Sequence, residues 1–209
     1  MTISIIVPTK NAKPEWLSKA VGSCAFADEI IIRRDEGISV AVNRGVLQAS
    51  GDYIAVLPDD DYYLPEIAEA VKEMQSGLYD VVHFPCRHQT EECEVEGLYD
   101  VSPDITLEQN ILGNRVFGSC FIKRTAWERL GGYAGDICMD WDLWNRALAI
   151  GMKFKYVPVP CAVFRWNKHS RLQNRPGGDY AEIRRYIENS LAKWKELNAD
   201  CCPVPDIQV

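Results

Sequence analysis

The chain has 209 residues, of which 47% are hydrophobic, 25% charged and 10% aromatic. That is a globular composition, and it excludes a disordered chain, a collagen-like repeat and a disulfide-stapled mini-protein. The formal charge of −7, from 23 basic against 30 acidic side chains, argues against a protein built to grip a phosphate backbone, and so against a nucleic-acid partner.

The start of the chain shows no basic stretch followed by an apolar leader, and no apolar run approaches the ~20 residues of a bilayer span. A cytoplasmic protein without a transmembrane segment is therefore expected. The eight cysteines form no CxxC pair, which removes zinc-ribbon and thioredoxin-type readings; reduced thiols packed as small hydrophobes are expected instead. Vicinal Cys201 and Cys202 read either as thiols on a loose end or as a redox pair.

In chain order, residues 3–8 are an apolar run stopped by Pro8, the pattern of a buried strand. Residues 14–25 read as a helix with Pro14 at its start and Trp16, Leu17, Ala20, Val21 and Cys24 on one face. Residues 29–33 are a second strand, 39–49 a helix stopped by Gly51, and 53–57 a third strand ended by Pro58. A helix over 64–74 and a strand over 80–84 complete a strand–helix alternation. Such alternation builds a parallel α/β sheet with right-handed crossovers. Ligands of these sheets lie beyond the carboxyl ends of the strands. Those ends carry Thr9, Lys10 and Asn11, then Arg34, Asp35, Glu36 and Gly37, then Asp59, Asp60 and Asp61, and they are expected to converge on one crevice.

The second half is less regular. Residues 91–99 read as an acidic loop or hairpin, 106–112 as a helix, 117–123 as a strand, 125–130 as a helix, 140–150 as a strong helix and 154–159 as a strand. A basic loop over 165–178 carries Arg165, Lys168, His169, Arg171 and Arg175. A terminal helix over 180–197 and a frayed tail at 201–209 follow. The expected organisation is one domain over 1–200, divided into a first half (1–90), a second half (91–178) and the terminal helix (179–200).

Three aspartates in series after an apolar strand repel one another unless a cation or solvent compensates. Oxygen donors of this kind suit Mg²⁺ or Mn²⁺, which bind through one or two carboxylates and complete their shell on substrate phosphates. The competing reading is a solvated acidic turn before a helix.

Four stretches shift that balance. Residues 4–11 (SIIVPTKN), 41–45 (AVNRG) with 49–57 (ASGDYIAVL), 57–65 (LPDDDYYLP) and 140–146 (DWDLWNR), in this order and spacing, resemble the family-2 glycosyltransferases of the GT-A fold. The resemblance implies a mixed, mainly parallel, Rossmann-like sheet flanked by helices, a UDP- or GDP-sugar donor, a glycan, lipid or other hydroxyl acceptor, and Mn²⁺ or Mg²⁺. It places Pro8, Thr9 and Asp35 at the nucleotide base, and Asn43 and Arg44 on the helix leading to the metal motif. Asp60 becomes the metal ligand with Asp59 as its ribose-facing or metal-sharing neighbour, although Asp59 and Asp61 form an alternative pair. Asp140 becomes the general base, and Gly118 and Ser119 line the sugar and acceptor pocket. In the basic loop, Arg165 and Arg171 are candidates for phosphate contact. His169, or Asn167 two residues earlier, is a candidate for a further metal ligand.

The chain departs from the family at Pro58, where many relatives carry Asp, at Met139, where Glu is common, and in a short segment from Asp35 to Ala41. Without the resemblance, Asp140 also reads as a helix cap, Asp142 as structural or acceptor-facing, and Trp141 and Trp144 as core or a sugar platform. An inverting transferase is the expected activity. The alternatives are a nucleotidyltransferase of the same fold, disfavoured because residues 9–13 hold no glycine, and a non-catalytic module binding sugar nucleotide or glycan.

Overall fold

A computed structural model describes residues 1–35, 37–90, 95–99, 103–135, 137–165 and 180–198. Its central strand is β1 (Ile3–Pro8), in which every residue is buried. Burial on both faces is what an unbroken apolar run requires. β2 (Glu29–Arg33) and β3 (Tyr53–Val56) flank it, both parallel. α1 (Pro14–Gly22) joins β1 to β2, and α2 (Ile38–Gln48) joins β2 to β3. Helix α2 lies close against β1: a Cβ on Gly45 would stand 2.7 Å from Ile6 Cγ2, so only glycine permits that approach.

Next in the chain come β4 (Tyr62–Tyr63), α3 (Ile67–Met74), β5 (Val81–His83), β6 (Cys86–Gln89), β7 (Val95–Tyr99) and α4 (Leu107–Leu112). They are followed by β8 (Phe121–Lys123), α5 (Arg124–Leu130), α6 (Met139–Ala149), β9 (Phe154–Tyr156), β10 (Ala162–Arg165) and α7 (Tyr180–Leu197). The main sheet runs β2-β1-β3-β8-β5-β9. Strand β8 enters it antiparallel to both β3 and β5. The fourth strand of the sequence reading therefore does not pair with the third.

A second, four-stranded sheet runs β4-β10-β6-β7. It is absent from the sequence reading, apart from the hairpin expected over 91–99, whose described part is β7 paired with β6. The strands of this sheet are short, and β6 (Cys-Arg-His-Gln) has little apolar character to betray it. Between the sheets Tyr63, Phe26, Phe84 and Phe121 pack ring against ring at 5.4–6.4 Å.

Trp141 and Trp144 are both buried, so they belong to the core and offer no sugar platform. Cys24, Cys86, Cys120 and Cys161 are buried free thiols. Burial pushes Cys24 up to about 11 and Cys161 up to about 12, which makes them packing groups rather than nucleophiles. Cys93, Cys201, Cys202 and the 201–209 tail lie outside the described residues. Among the described residues no helix is long and apolar enough to cross a membrane.

Candidate active site

The carboxyl ends of β1, β2 and β3 open onto one crevice of about 610 Å³. Pro8, Thr9, Lys10, Lys13 and Trp16 line it from the β1–α1 side, Asp35 and Gly37 from β2, and Asp59 and Asp60 from β3. The expected convergence is thus present, because parallel strands deliver their carboxyl ends to one edge.

Each wall has its own chemistry. Asp35 is held by two arginines: Arg33 Nε and Nη2 donate at 2.8 and 3.0 Å, and Arg44 Nη1 donates at 2.7 Å. These bonds, Arg33 first and Arg44 second, hold its carboxyl down at about 2. Arg44 touches Asp35 from an exposed position and is not one of the crevice-lining residues. Asn43 turns the other way: its amide donates to the Tyr133 carbonyl and accepts the Tyr133 N–H, both at 3.0 Å. The ligand-binding role implied for Asn43 is corrected to a brace between α2 and the segment before α6.

The three aspartates separate into two kinds. Asp59 and Asp60 are half-buried on the crevice wall. Asp61 is 1% exposed, and its Oδ1 accepts the backbone N–H of Arg165 at 2.8 Å. Its Oδ2 is buried without a hydrogen-bond partner among the described residues. Burial and then the charge of Asp60 push the Asp61 carboxyl well above the ordinary carboxylate range. Asp59 and Asp60 lie in the turn after β3, which the Asp61 N–H closes by donating to the Pro58 carbonyl at 3.1 Å, so consecutive aspartates need not share one task. Asp61 is accordingly placed as an internal staple, not as the crevice-facing metal ligand expected for it.

Arg165, expected at the start of the basic loop, instead closes β10, 4% exposed. Its guanidinium stacks 4.6 Å from the Trp16 ring and 5.7 Å from Tyr62, while the Lys13 ammonium lies 4.2 Å over the same Trp16. Trp16 and Lys13 are crevice residues that the sequence reading missed. Trp16 passed for one more apolar position on a helix face. Arg171 and His169 lie outside the described residues, as do Asn167, Lys168 and Arg175.

The second acidic feature begins α6. Cys138, just before the helix, adopts φ 46°, the one positive φ of a non-glycine among the described residues. Left-handed backbone there costs on the order of 1 kcal/mol and sets the angle at which Asp140 enters the first turn. Gly118 lies against that carboxylate: a Cβ on it would sit 3.2 Å from Asp140 Oδ2. Ser119 is buried, with its carbonyl accepting from Tyr63 Oη at 2.8 Å, so the pocket-lining role implied for it is corrected to a core position. Asp142 is fully buried and paired with Arg146 at 2.7 Å, a structural pair.

Among the described residues no three His, Cys, Asp or Glu side chains form a preassembled metal centre. The donor set on the wall, two carboxylates at one strand end, fits the mode in which a hard divalent cation takes one or two protein oxygens and completes its shell on substrate phosphates.

The framework is a mainly parallel sheet with a carboxylate-walled crevice at its carboxyl edge, backed by a second small sheet. Residues 24–121 match the family model Glycosyl transferase family 2. The chain is similar to the uncharacterized glycosyltransferase YwdF of Bacillus subtilis (strain 168), with 26% identity covering 92% of this chain and 84% of that protein. Among solved structures it is similar to S. aureus TarS 1-349 in complex with UDP-GlcNAc, with TM-score 0.65 and 11% identity, covering all of this chain and 77% of that one. TarS 1-349 without the ligand superposes with TM-score 0.64 at 14% identity, covering 95% of this chain and 70% of that one. The chain has the fold of the GT-A glycosyltransferases, its residues 24–121 resemble family 2 of these enzymes, and the likenesses together point to a glycosyltransferase.

Proposed function

We propose that this enzyme is an inverting, divalent-cation-dependent transferase that moves a sugar from a UDP- or GDP-sugar to a hydroxyl of a glycan, lipid or other acceptor, in a cytoplasmic setting. One observation carries the reading: Asp59 and Asp60 stand on the wall of the crevice at the ends of β1, β2 and β3. UDP is the first choice of nucleotide, since UDP-GlcNAc is bound in the similar TarS structure.

In this reading Thr9, Pro8 and Asp35 cradle the nucleoside. Asp59 and Asp60 would hold Mn²⁺ or Mg²⁺ beside the donor's diphosphate. The cation, when bound, offsets the charge of the departing diphosphate. Lys10 and Lys13 add positive charge on the same side. Asp140 takes the proton of the incoming hydroxyl, and attack from the side away from the leaving group inverts the anomeric configuration.

The test is a thermal-shift series with UDP, GDP and their sugars, with and without Mn²⁺, followed by NMR of the new linkage. The midpoint should rise with the fitting donor and rise further with Mn²⁺. Asp59→Asn and Asp60→Asn should remove the Mn²⁺-dependent part. Asp140→Asn should keep donor stabilisation and lose turnover. Equal stabilisation with and without cation would overturn metal dependence, and a retained configuration would overturn the inverting mechanism.

A further inference from the structure

We propose that Asn114 is a positioning residue for the transfer reaction, aiming the Asp140 carboxylate; this rests on the reading of Asp140 as the base. Asn114 Nδ2 donates to Asp140 Oδ2 at 2.9 Å. Its own amide is set by a local bond, because Asn114 Oδ1 accepts the backbone N–H of Val116 at 3.3 Å. The amide can therefore not flip without losing both contacts, and its NH₂ end stays turned to the acid.

The segment that carries Asn114 is moored to the same helix that carries Asp140. Asn110, fully buried near the end of α4, donates to Asn145 Oδ1 at 2.8 Å and accepts the backbone N–H of Arg115 at 2.8 Å through its own Oδ1. The Trp141 indole N–H donates to the Asn110 carbonyl. Trp141 and Asn145 both belong to α6. Two polar contacts thus tie Asn110 to α6 and a third ties Arg115 to Asn110, so the donor and the acid are moored to one body. Gly118 closes the other side of Oδ2, within 3.2 Å of where a Cβ would be. One carboxylate oxygen is thereby confined between an amide donor and a bare backbone, which fixes the plane of the carboxyl group. A general base works only when its lone pair meets the proton it removes, so orientation enters the rate directly.

The chemistry separates positioning from mere packing. Asn114→Asp keeps the size of the side chain and an oxygen for the Val116 N–H, but it replaces the donor by a second negative group against Asp140. Asn114→Ala removes the contact and places no charge beside the acid. If Asn114 only fills space, the Asp variant is the milder of the two. If it aims the base, the Asp variant is the more damaging.

The experiment measures nucleoside diphosphate release from a panel of UDP- and GDP-sugars with Mn²⁺, using the donor that the wild-type chain turns over, together with thermal midpoints. The expected result is kcat lowered about tenfold in Asn114→Ala and about a hundredfold in Asn114→Asp, with donor KM within about twofold in both. Asp140→Asn is run alongside. Turnover retained in Asp140→Asn, or no turnover of any donor by the wild type, overturns the functional reading on which this rests. Turnover that depends on Asp140 with Asn114→Asp equal to or milder than Asn114→Ala, or with KM rising in place of a fall in kcat, overturns the role of Asn114 alone.

Discussion

Asp61 and Arg165, 104 positions apart, are joined through the Asp61 carboxylate oxygen and the Arg165 backbone N–H at 2.8 Å. The bond fastens the last residue of β10 to the end of the aspartate series, where β4 and β10 pair antiparallel. The acidic motif therefore divides its labour: Asp59 and Asp60 face the crevice, and Asp61, next to β4, ties that strand to β10 within the second sheet.

That division is measurable. Asp61→Asn keeps an acceptor for the Arg165 N–H and removes a buried acid, so its thermal midpoint at neutral pH should lie within about 2 °C of wild type, with the Mn²⁺ response intact. Asp61→Ala strands the N–H and should cost about 1–3 kcal/mol in urea unfolding. A folded Asp61→Asn that no longer responds to Mn²⁺ would place Asp61 among the cation's ligands.

Arg146 offers a stability prediction. Its Nε and Nη2 donate to Asp142 Oδ2 at 3.0 and 2.7 Å, Nη2 also to the Gly132 carbonyl at 2.8 Å, and Nη1 to the Leu130 carbonyl. Both partners are buried. Arg146→Met leaves Asp142 charged and alone, and should cost about 3–5 kcal/mol. Adding Asp142→Leu removes the stranded charge and should recover much of the loss, as read by the urea midpoint of the double variant.

His83 makes stability depend on pH. It is fully buried against Phe154 and Tyr156, with ring centroids 5.9 and 5.3 Å away, and neither ring nitrogen has a hydrogen-bond partner among the described residues. Burial lowers its pKa to about 4. The folded chain thus keeps the imidazole neutral while the unfolded chain protonates near the ordinary value of about 6.5. Stability is full above that value and declines as pH falls toward 4, by about 3 kcal/mol in total for this group. In His83→Leu the fall in urea midpoint between pH 7.5 and 4.5 should be smaller than in wild type; an identical fall would exclude His83 as its source.

Gly118→Ala probes the space beside Asp140. The added methyl would stand 3.2 Å from Oδ2, tighter than ordinary contact, so the carboxylate must shift by a few tenths of an ångström. With Asp140 as the base, kcat should fall about tenfold while donor KM and the thermal midpoint change little. An unchanged kcat would show that the acid tolerates the shift.

Much of the α/β framework is written locally. β2 coincides with the expected 29–33 strand and α7 closely with the 180–197 helix, because β-branched runs and helical periodicity are near-neighbour properties. Thr106 with Gln109 forms a capping box that starts α4 where the helix was expected. The crevice followed from strand order, since parallel strands send their polar ends to one edge. Asp59 and Asp60 were legible as candidates because they follow an apolar strand within a stretch that resembles the family's metal motif, and Asp140 because residues 140–146 resemble the helix that carries its base.

Other features depend on pairings far apart in the chain. The insertion of β8 between β3 and β5, and the second sheet built from β4, β6, β7 and β10, join segments of two to five residues whose own pattern is too short to announce a partner. The inward turn of Asp61, the Asn43 brace, the stacking of Arg165 on Trp16 and the amide of Asn114 against Asp140 were invisible for the same reason. Sequence by itself determined which residues are chemically able to act, since that is a property of side-chain type and local period. Only the tertiary structure decided which carboxylates face the crevice and which are taken up inside, because burial and hydrogen-bond partners are set by contacts the chain makes across a hundred residues.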